Sequence, residues 1–371
     1  MNVEQKSSKD RAEFPPPTSP PVTGTPEHPK RLPGRILDEA KKRKPEFLLK
    51  NAKREAISDV VTLGEVEFRL ERRVGGSAGE AVGKSETWQA SIVGSTSEKV
   101  FLKRFISPKY PTPEEIRDTA YGRENKRDCE KFEERHNILK TRLNGNSAGS
   151  GSLVKPIAFG RQENSFSYIK IYPWVNGGEI LSREIARNWS IDQRITFIRT
   201  LCLAIWELHS RGIVHGDLKS DNVLVIHLPI GPVARLIDFD EAFLVEDPPV
   251  DGDFFVGTTV LTPEWYVLED PSRCLLNVSM KLGLHTDIFQ LSLLLHGIFA
   301  EEKINWVFLD LDIHETVEDD ADASLRGGRP NVSDLGVNNP RLKQQLELSL
   351  DRIPSSRPTI KSILSSLGVT V

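Results

Sequence analysis

The sequence predicts an α+β chain in which a strand-rich N-terminal part precedes a helix-rich C-terminal part. Three observations carry that prediction. Val66, Phe68 and Leu70 alternate with polar residues, the two-residue period of a half-buried strand. Ile191, Ile195, Ile198, Leu201, Ile205 and Leu208 recur at three- and four-residue steps, the buried face of a helix. Just past that helix lies a loop dense in ionisable groups, His215-Gly216-Asp217-Leu218-Lys219-Ser220-Asp221-Asn222. Composition agrees. The 371 residues, 38% hydrophobic and 27% charged, suit one large two-lobed domain or two ordinary ones. A net charge of −4 gives no pull toward nucleic acid. No run of eighteen apolar residues spans a bilayer and no apolar signal core opens the chain, so a cytoplasmic location without a transmembrane segment is expected. Cys129, Cys202 and Cys274 have neither zinc spacing nor a disulfide framework, and Cys202 falls in the apolar helical pattern as a small core residue.

Taken in order, residues 1–34 carry eight prolines between Pro15 and Pro33 and too little apolar surface to offset ordering, so they read as a disordered tail. Residues 35–59 read as a basic helix or linker; between 30 and 54 there are ten Lys/Arg against three Asp/Glu. The tail and this basic stretch are candidate docking elements for a partner. Residues 60–176 form the strand-rich part. A strand at Val66 to Leu70 leads into a loop with Gly75, Gly76, Gly79 and Gly83, then into a second strand at Thr87 to Ile92. Val100 to Phe105 is a third strand, with Lys103 on the face of Phe101 and Phe105. A charged helix follows at about Asp128 to Leu143, and a strand from Ser167 to Val175 ends at Asn176-Gly177-Gly178. Residues 177–371 form the helical part. Gly83-Lys84-Ser85 evokes a phosphate loop, but Gly79 stands one residue too close and no parallel-sheet pattern follows.

The loop from His215 to Asn222, with Asp238-Phe239-Asp240 after it, resembles the catalytic region of the eukaryotic-type protein kinase family, Ser/Thr branch. The resemblance spans about residues 60 to 371. It implies a bilobal protein-kinase-like fold, with a small antiparallel β-sheet N-lobe and a helical C-lobe. It implies ATP and Mg²⁺ as cofactors and Ser/Thr hydroxyls of protein substrates as acceptors. Carried over residue by residue, Asp217 accepts or orients the proton of the attacking hydroxyl. Lys219 neutralises charge on the transferred group. Asn222 and Asp238 are the metal ligands. Lys103 grips the non-transferred phosphates, with Glu134 as its helix partner and Glu130 as the rival. Gly75, Gly76, Gly79 and Gly83 close over the nucleotide, and Tyr172 and Val175 border it. Further markers follow in family order: Gly257-Thr258…Thr262-Pro263-Glu264, Asp287 in Asp287-Ile288-Phe289-Gln290, Gly328-Arg329-Pro330, and Arg357, which is expected to pair with Glu264.

Several positions depart from the family pattern. Gly216 replaces the arginine common before the catalytic aspartate, and no Ser, Thr or Tyr occurs between Phe239 and Gly257. Activity is therefore expected not to need a phosphate on that stretch. Asp240 replaces a glycine, which makes a flipped inactive state harder to reach; it adds charge near the metals or lies at the surface. Phe101 and Tyr172 are large, which implies a tight nucleotide site or a different register of the third strand. Acidic residues at Glu315, Glu318, Asp319, Asp320 and Asp322 read as a solvated loop or, with the acidic stretch after Phe239, as a preference for hydroxyls flanked by Lys or Arg. Two other readings stand beside the first. His215-Gly216-Asp217 with Ile237-Asp238-Phe239-Asp240 also fits small-molecule kinases of the aminoglycoside or choline phosphotransferase type, though these lack the Glu264, Asp287 and Arg357 set. A pseudokinase scaffold would fit the irregular glycine loop and Phe101.

Overall fold

The computed structural model describes residues 60–74, 85–95, 98–145, 151–162, 165–249, 262–269, 280–300, 302–307, 319–333 and 335–371. The proline-rich tail, the basic stretch, the four loop glycines Gly75, Gly76, Gly79 and Gly83, and Gly257 to Thr259 lie outside the described residues. Ser58–Val371 forms one unit.

Its first half is an antiparallel sheet in the order β1-β2-β3-β4-β6-β5. The strands are β1 (Val60–Leu63), β2 (Val66–Arg73), β3 (Ser85–Ile92), β4 (Lys99–Lys109), β5 (Ala158–Arg161) and β6 (Ser167–Pro173). Period-two patterning gives the sheet two distinct faces. Val61, Phe68, Ala90, Val100, Leu102, Ile169 and Ile171 pack together on one of them. Phe101, Lys103 and Phe105 point to the other, where Phe105 packs with Cys129, Phe159 and Tyr168. A short helix α1 (Pro113–Asp118) leads into the long helix α2 (Ala120–Asn144), which starts at a Thr119 cap and buries Cys129, His136, Leu139 and Leu143. The helix is longer at its start than the expected 128–143, because Thr119 supplies a capping oxygen to Gly122 N.

The second half is helical around one large core, with a smaller cluster of Val214, Phe243, Trp265 and Leu282 beside it. A short strand β7 (Gly178–Ile180) and a one-turn helix α3 (Arg183–Ala186) precede α4 (Ile191–His209). Ser190 and Gln193 form a capping box at the start of α4. Phe197, Ile198, Leu201, Cys202, Ile205 and Leu208 are buried along it, as the periodicity requires. Ile191 is 51% exposed, because the first turn lies outside the packed stripe. Beyond α4 come β8 (Ile213–Val214), the loop from His215, and the hairpin of β9 (Val223–Leu228) and β10 (Gly231–Leu236). β11 (Phe243–Leu244) pairs with β8, which returns the chain past the loop. Helices α5 (Pro263–Glu269), α6 (Leu284–Phe299), α7 (Asp320–Leu325), α8 (Pro340–Ser349) and α9 (Ile360–Ser366) complete this half, with a small β12–β13 ribbon (Asn305–Val307, Arg329–Asn331). Among the described residues no helix is long and apolar enough to cross a membrane.

Candidate active site

The loop from His215 is held from below by α6. Asp287 is fully buried. Its Oδ2 accepts from His215 N at 2.9 Å, and its Oδ1 accepts from Gly216 N at 2.9 Å. His209 Nε2, at the end of α4, lies 2.9 Å from Asp287 Oδ2. One turn along α6, Gln290 closes a second bridge. It accepts from Leu218 N at 3.0 Å and donates to Gly216 O at 2.9 Å. Four backbone groups of a buried loop, which has no ladder partners of its own here, are thus satisfied by two side chains. Gly216 sits at φ 75°, and a Cβ there would stand 2.8 Å from Glu241 O. Glycine is required at that point by conformation and by space together.

Above this base the loop side chains converge. Asp217 Oδ2 lies 2.8 Å from Lys219 Nζ. Asn222 donates both amide hydrogens to Asp217, to O at 2.8 Å and to Oδ2 at 3.0 Å. Its Oδ1 therefore remains as an acceptor with no protein hydrogen bond among the described residues. The start of the next segment is tied to the same loop: Ile237 N donates to Asn222 O at 3.0 Å, and His215 Nε2 lies 3.1 Å from Ile237 O. Asp238 follows at φ 59°, a left-handed backbone conformation that aspartate tolerates better than most residues. Its two carboxylate oxygens each stand 2.8 Å from Lys103 Nζ on β4. Asp217, Lys219, Asn222, Asp238 and Lys103 are thereby linked, through direct contacts and one chain step, into one cluster at the junction of sheet and helices. Oxygen donors from Asn222 and from Asp238, which is one-third exposed, suit a hard divalent cation that keeps water or phosphate in its remaining positions. No cluster of three or more His, Cys, Asp and Glu able to hold a metal occurs among the described residues.

The expected partner of Lys103 needs correction. Glu134 is exposed on α2, and Glu130 pairs with Lys126 one turn back. The buried face of α2 runs through Cys129, His136, Leu139 and Leu143, and Glu134 is out of phase with it. Glu133 is in phase but accepts from Tyr168 Oη at 2.7 Å. Lys103 instead meets Asp238 and, at 2.6 Å, Asp240 Oδ2. Asp240 is not a surface residue. Its other oxygen accepts from Lys170 Nζ at 2.8 Å, and His136 Nε2 stands 3.9 Å away. Lys170, fully buried on β6, and His136 were not anticipated as members of the site. The signal for Lys170 was a lysine within the apolar run Tyr168 to Tyr172, where an ammonium needs a counter-ion.

Burial works against the Lys103 ammonium, but Asp238 and Asp240 outweigh it and raise its pKa. Burial also opposes ionisation of Asp240, yet Lys103 and Lys170 override it and hold the carboxyl well below its usual range. Burial, reinforced by Lys170, keeps His136 well below the ordinary histidine value, so the ring is neutral.

Tyr172 is buried beside this cluster, with its ring edge-on to Phe101 at 6.1 Å. Val175 lines a cavity of about 240 Å³ with Val154, Trp174, Ile226 and Arg235. Glu264 and Arg357 form the expected buried pair, bidentate at 2.7 and 2.9 Å. The described part of the acidic run is engaged locally: Asp319 caps α7, Asp320 accepts from Trp306 Nε1 and Asp322 pairs with Arg326. Glu315 and Glu318 lie outside the described residues.

An antiparallel sheet set against a helical half, with a clamped Asp-Lys-Asn loop at the junction, defines a protein-kinase-like domain. The family model described as "Protein kinase domain" matches residues 150–367, and the chain belongs to that family. Among its relatives, calcium/calmodulin-dependent protein kinase type II of Caenorhabditis elegans is 34% identical over 104 residues, covering 28% of this chain and 14% of that protein. Serine/threonine-protein kinase pkn2 of Myxococcus xanthus is 27% identical over 106 residues, 29% of this chain and 12% of that protein. Calcium-dependent protein kinase 17 of Arabidopsis thaliana is 24% identical over 208 residues, 56% of this chain and 36% of that protein. The chain thus spans little more than a third, at most, of the length of these relatives.

Proposed function

We propose that this chain transfers the terminal phosphoryl group of ATP to serine or threonine hydroxyls of protein substrates. The observation that carries the reading is the convergence of Asp217, Lys219 and Asn222 with Asp238 and Lys103. Phosphoryl transfer is achieved mostly by positioning and charge neutralisation, and these groups suit both tasks. Asp217 accepts or orients the proton of the acceptor hydroxyl. Lys219, 2.8 Å from that carboxylate, faces the charge on the group in flight. Asn222, through the oxygen its hydrogen bonds leave open, and Asp238 hold Mg²⁺, which when bound neutralises phosphate charge. Lys103 binds the phosphates that stay behind. The loop glycines Gly75, Gly76, Gly79 and Gly83 cover the nucleotide, and Phe101 with Tyr172 narrows its pocket.

Acceptor class is supported by Lys219 and by the Myxococcus relative, a serine/threonine-protein kinase. The formed Glu264–Arg357 pair favours a protein kinase over a small-molecule phosphotransferase. The test is incubation with γ-labelled ATP, Mg²⁺ and a generic basic protein, followed by phosphoamino-acid analysis. Wild type should label serine and threonine. Asp217→Ala and Lys103→Ala should lose several orders of magnitude and roughly two orders of magnitude of activity respectively. Equal labelling by wild type and Asp217→Ala, or label on small molecules alone, would overturn the proposal.

A further inference from the structure

Lys103 and Lys170 are cross-strand partners, directly opposite in the β4–β6 pairing and on the same face. Like charges opposite one another destabilise a sheet. Here both ammonium groups are also buried, Lys103 at 8% and Lys170 at 2% exposure. Such a pair persists only with carboxylates between its members. Asp240 supplies this directly, one oxygen to each lysine, at 2.6 and 2.8 Å. With Asp238 the four groups balance as two cations and two anions. Helix α2 brings no carboxylate to the cluster; the residue it presents is His136. It contributes hydrogen bonds from Arg135 instead, to Asp240 O at 2.7 Å and to Ala242 O at 2.8 Å.

We infer that Asp240 is the positioning residue for Lys103, with Lys170 as the fixed anchor that holds the Asp240 carboxylate in place. This inference rests on the phosphoryl-transfer reading above. With nucleotide bound, Asp240 would keep its bond to Lys103, because its other oxygen is fixed by Lys170 at 2.8 Å. The alignment of Lys103 is then set by the segment that carries Asp238, two residues away. The orientation of α2 enters only through the Arg135 bonds to that segment. Lys170 is too enclosed to reach a ligand, and among the described residues its hydrogen bond goes to Asp240.

Asp240→Asn alone leaves two buried ammonium groups facing one another, so the informative variant is the charge-balanced Asp240→Asn/Lys170→Met. A second pair relocates the carboxylate: Asp240→Gly beside Asp240→Gly/His136→Glu. For each, melting temperature, kcat, KM for ATP and the calorimetric affinity for magnesium-free ATP are measured. Asp240→Asn/Lys170→Met should fold, lose about 100-fold in kcat and bind magnesium-free ATP several-fold more weakly. Asp240→Gly/His136→Glu returns a carboxylate on the Lys170 side of the cluster, since His136 Nε2 stands 3.9 Å from the Asp240 oxygen that binds Lys170; it should recover melting temperature over Asp240→Gly but little of the lost kcat. A purely structural Asp240 would let kcat return together with the melting temperature. The inference is overturned if Asp240→Asn/Lys170→Met matches wild type in both kcat and ATP affinity, or if Asp240→Gly/His136→Glu regains kcat in step with stability. A wild type that binds ATP without transferring phosphate sinks the functional reading instead, and the affinity comparison still decides the role of Asp240.

Discussion

Asp287→Ala is the most direct probe of how the loop is held. The substitution removes three bonds at once: those from His215 N and Gly216 N and the contact with His209, each at 2.9 Å. Asp287 is fully buried, so water does not replace it without rearrangement. Two backbone N–H groups are left unsatisfied, at about 1–3 kcal/mol each, which sums to about 2–6 kcal/mol. Asp287→Asn sharpens the test. Its single oxygen serves one side of the bridge while its amide N–H₂ faces a donor on the other, so it should cost about 1–3 kcal/mol. Amide hydrogen exchange reads this locally. His215 and Gly216 should lose protection by those amounts, while helix α9 loses none beyond the change in global stability. In phosphotransfer assays kcat should fall much more than KM, because a displacement of about 1 Å in the loop costs about 100-fold. Unchanged exchange at His215 and Gly216 in the alanine variant, or equal effects of Ala and Asn, would refute the reasoning.

Other perturbations follow from the same geometry. Glu264→Gln or Arg357→Met, each breaking a pair with no exposed side-chain surface, should cost about 3–5 kcal/mol; Glu264→Leu/Arg357→Met should cost less than the sum, measured by denaturant unfolding. Gly216→Ala pays the left-handed penalty of about 1–2 kcal/mol plus displacement of Glu241 O. Gly212→Ala, at φ 67° with its nearest neighbour an Arg142 side-chain atom at 3.5 Å, pays only the first part; the difference between their melting points isolates the clash. Burial holds His136, His285 and His296 below the ordinary histidine pKa. The unfolded chain therefore binds more protons below about pH 6.5. The stabilisation is complete above that value and is lost as pH falls toward the folded pKa values, by up to about 1.4 kcal/mol per pH unit per histidine. Unfolding titrations between about pH 7.5 and 5 should show the decline, with a shallower slope in His136→Gln; a flat profile would contradict it.

Much of the site was legible because its members are close in sequence or fixed by period. Asp217, Lys219 and Asn222 occupy one loop, and Asp238 follows a single hairpin later. Lys103 was legible as an inward position of a strand. Asp287 and the Glu264–Arg357 pair were legible through the family resemblance, and the structure brings each to the expected partner. The partner of Lys103 was not legible in the same way. A helix rich in glutamate offers several candidates, and its phase is set by which face packs on the sheet, not by charge. Counting back from His136 places Glu133 on that face and Glu134 off it, but nothing in the sequence sets His136 apart from the polar residues around it. Lys170 was hidden for a different reason. Only the strand register shows that it stands opposite Lys103, and register is a long-range property set by the sheet as a whole. Gln290 lay within a recognised motif, yet its bridge to Gly216 and Leu218 depends on the α6 phase that Asp287 fixes.

The same facts bear on how the site is kept in order. In the family pattern an arginine before the catalytic aspartate answers a phosphate on the segment downstream. Here position 216 cannot project any side chain without moving Glu241 O, so no cation arises from that point. Downstream of it, Glu246 pairs with Arg142 of α2, and Arg135 binds the backbone at Asp240 and Ala242. Thr262 is fully buried. Loop alignment therefore comes from groups present in the unmodified chain: Asp287 and Gln290 from below, Arg135 from α2 and the Asp240–Lys170 pair from the sheet. Order supplied in this way leads to the expectation that activity needs no phosphate between Phe239 and Gly257, which phosphosite mapping of active enzyme checks. It requires instead that the buried charges remain matched, which is why exchanging a single member of the Lys103, Lys170, Asp238, Asp240 quartet should be costlier than exchanging a balanced pair.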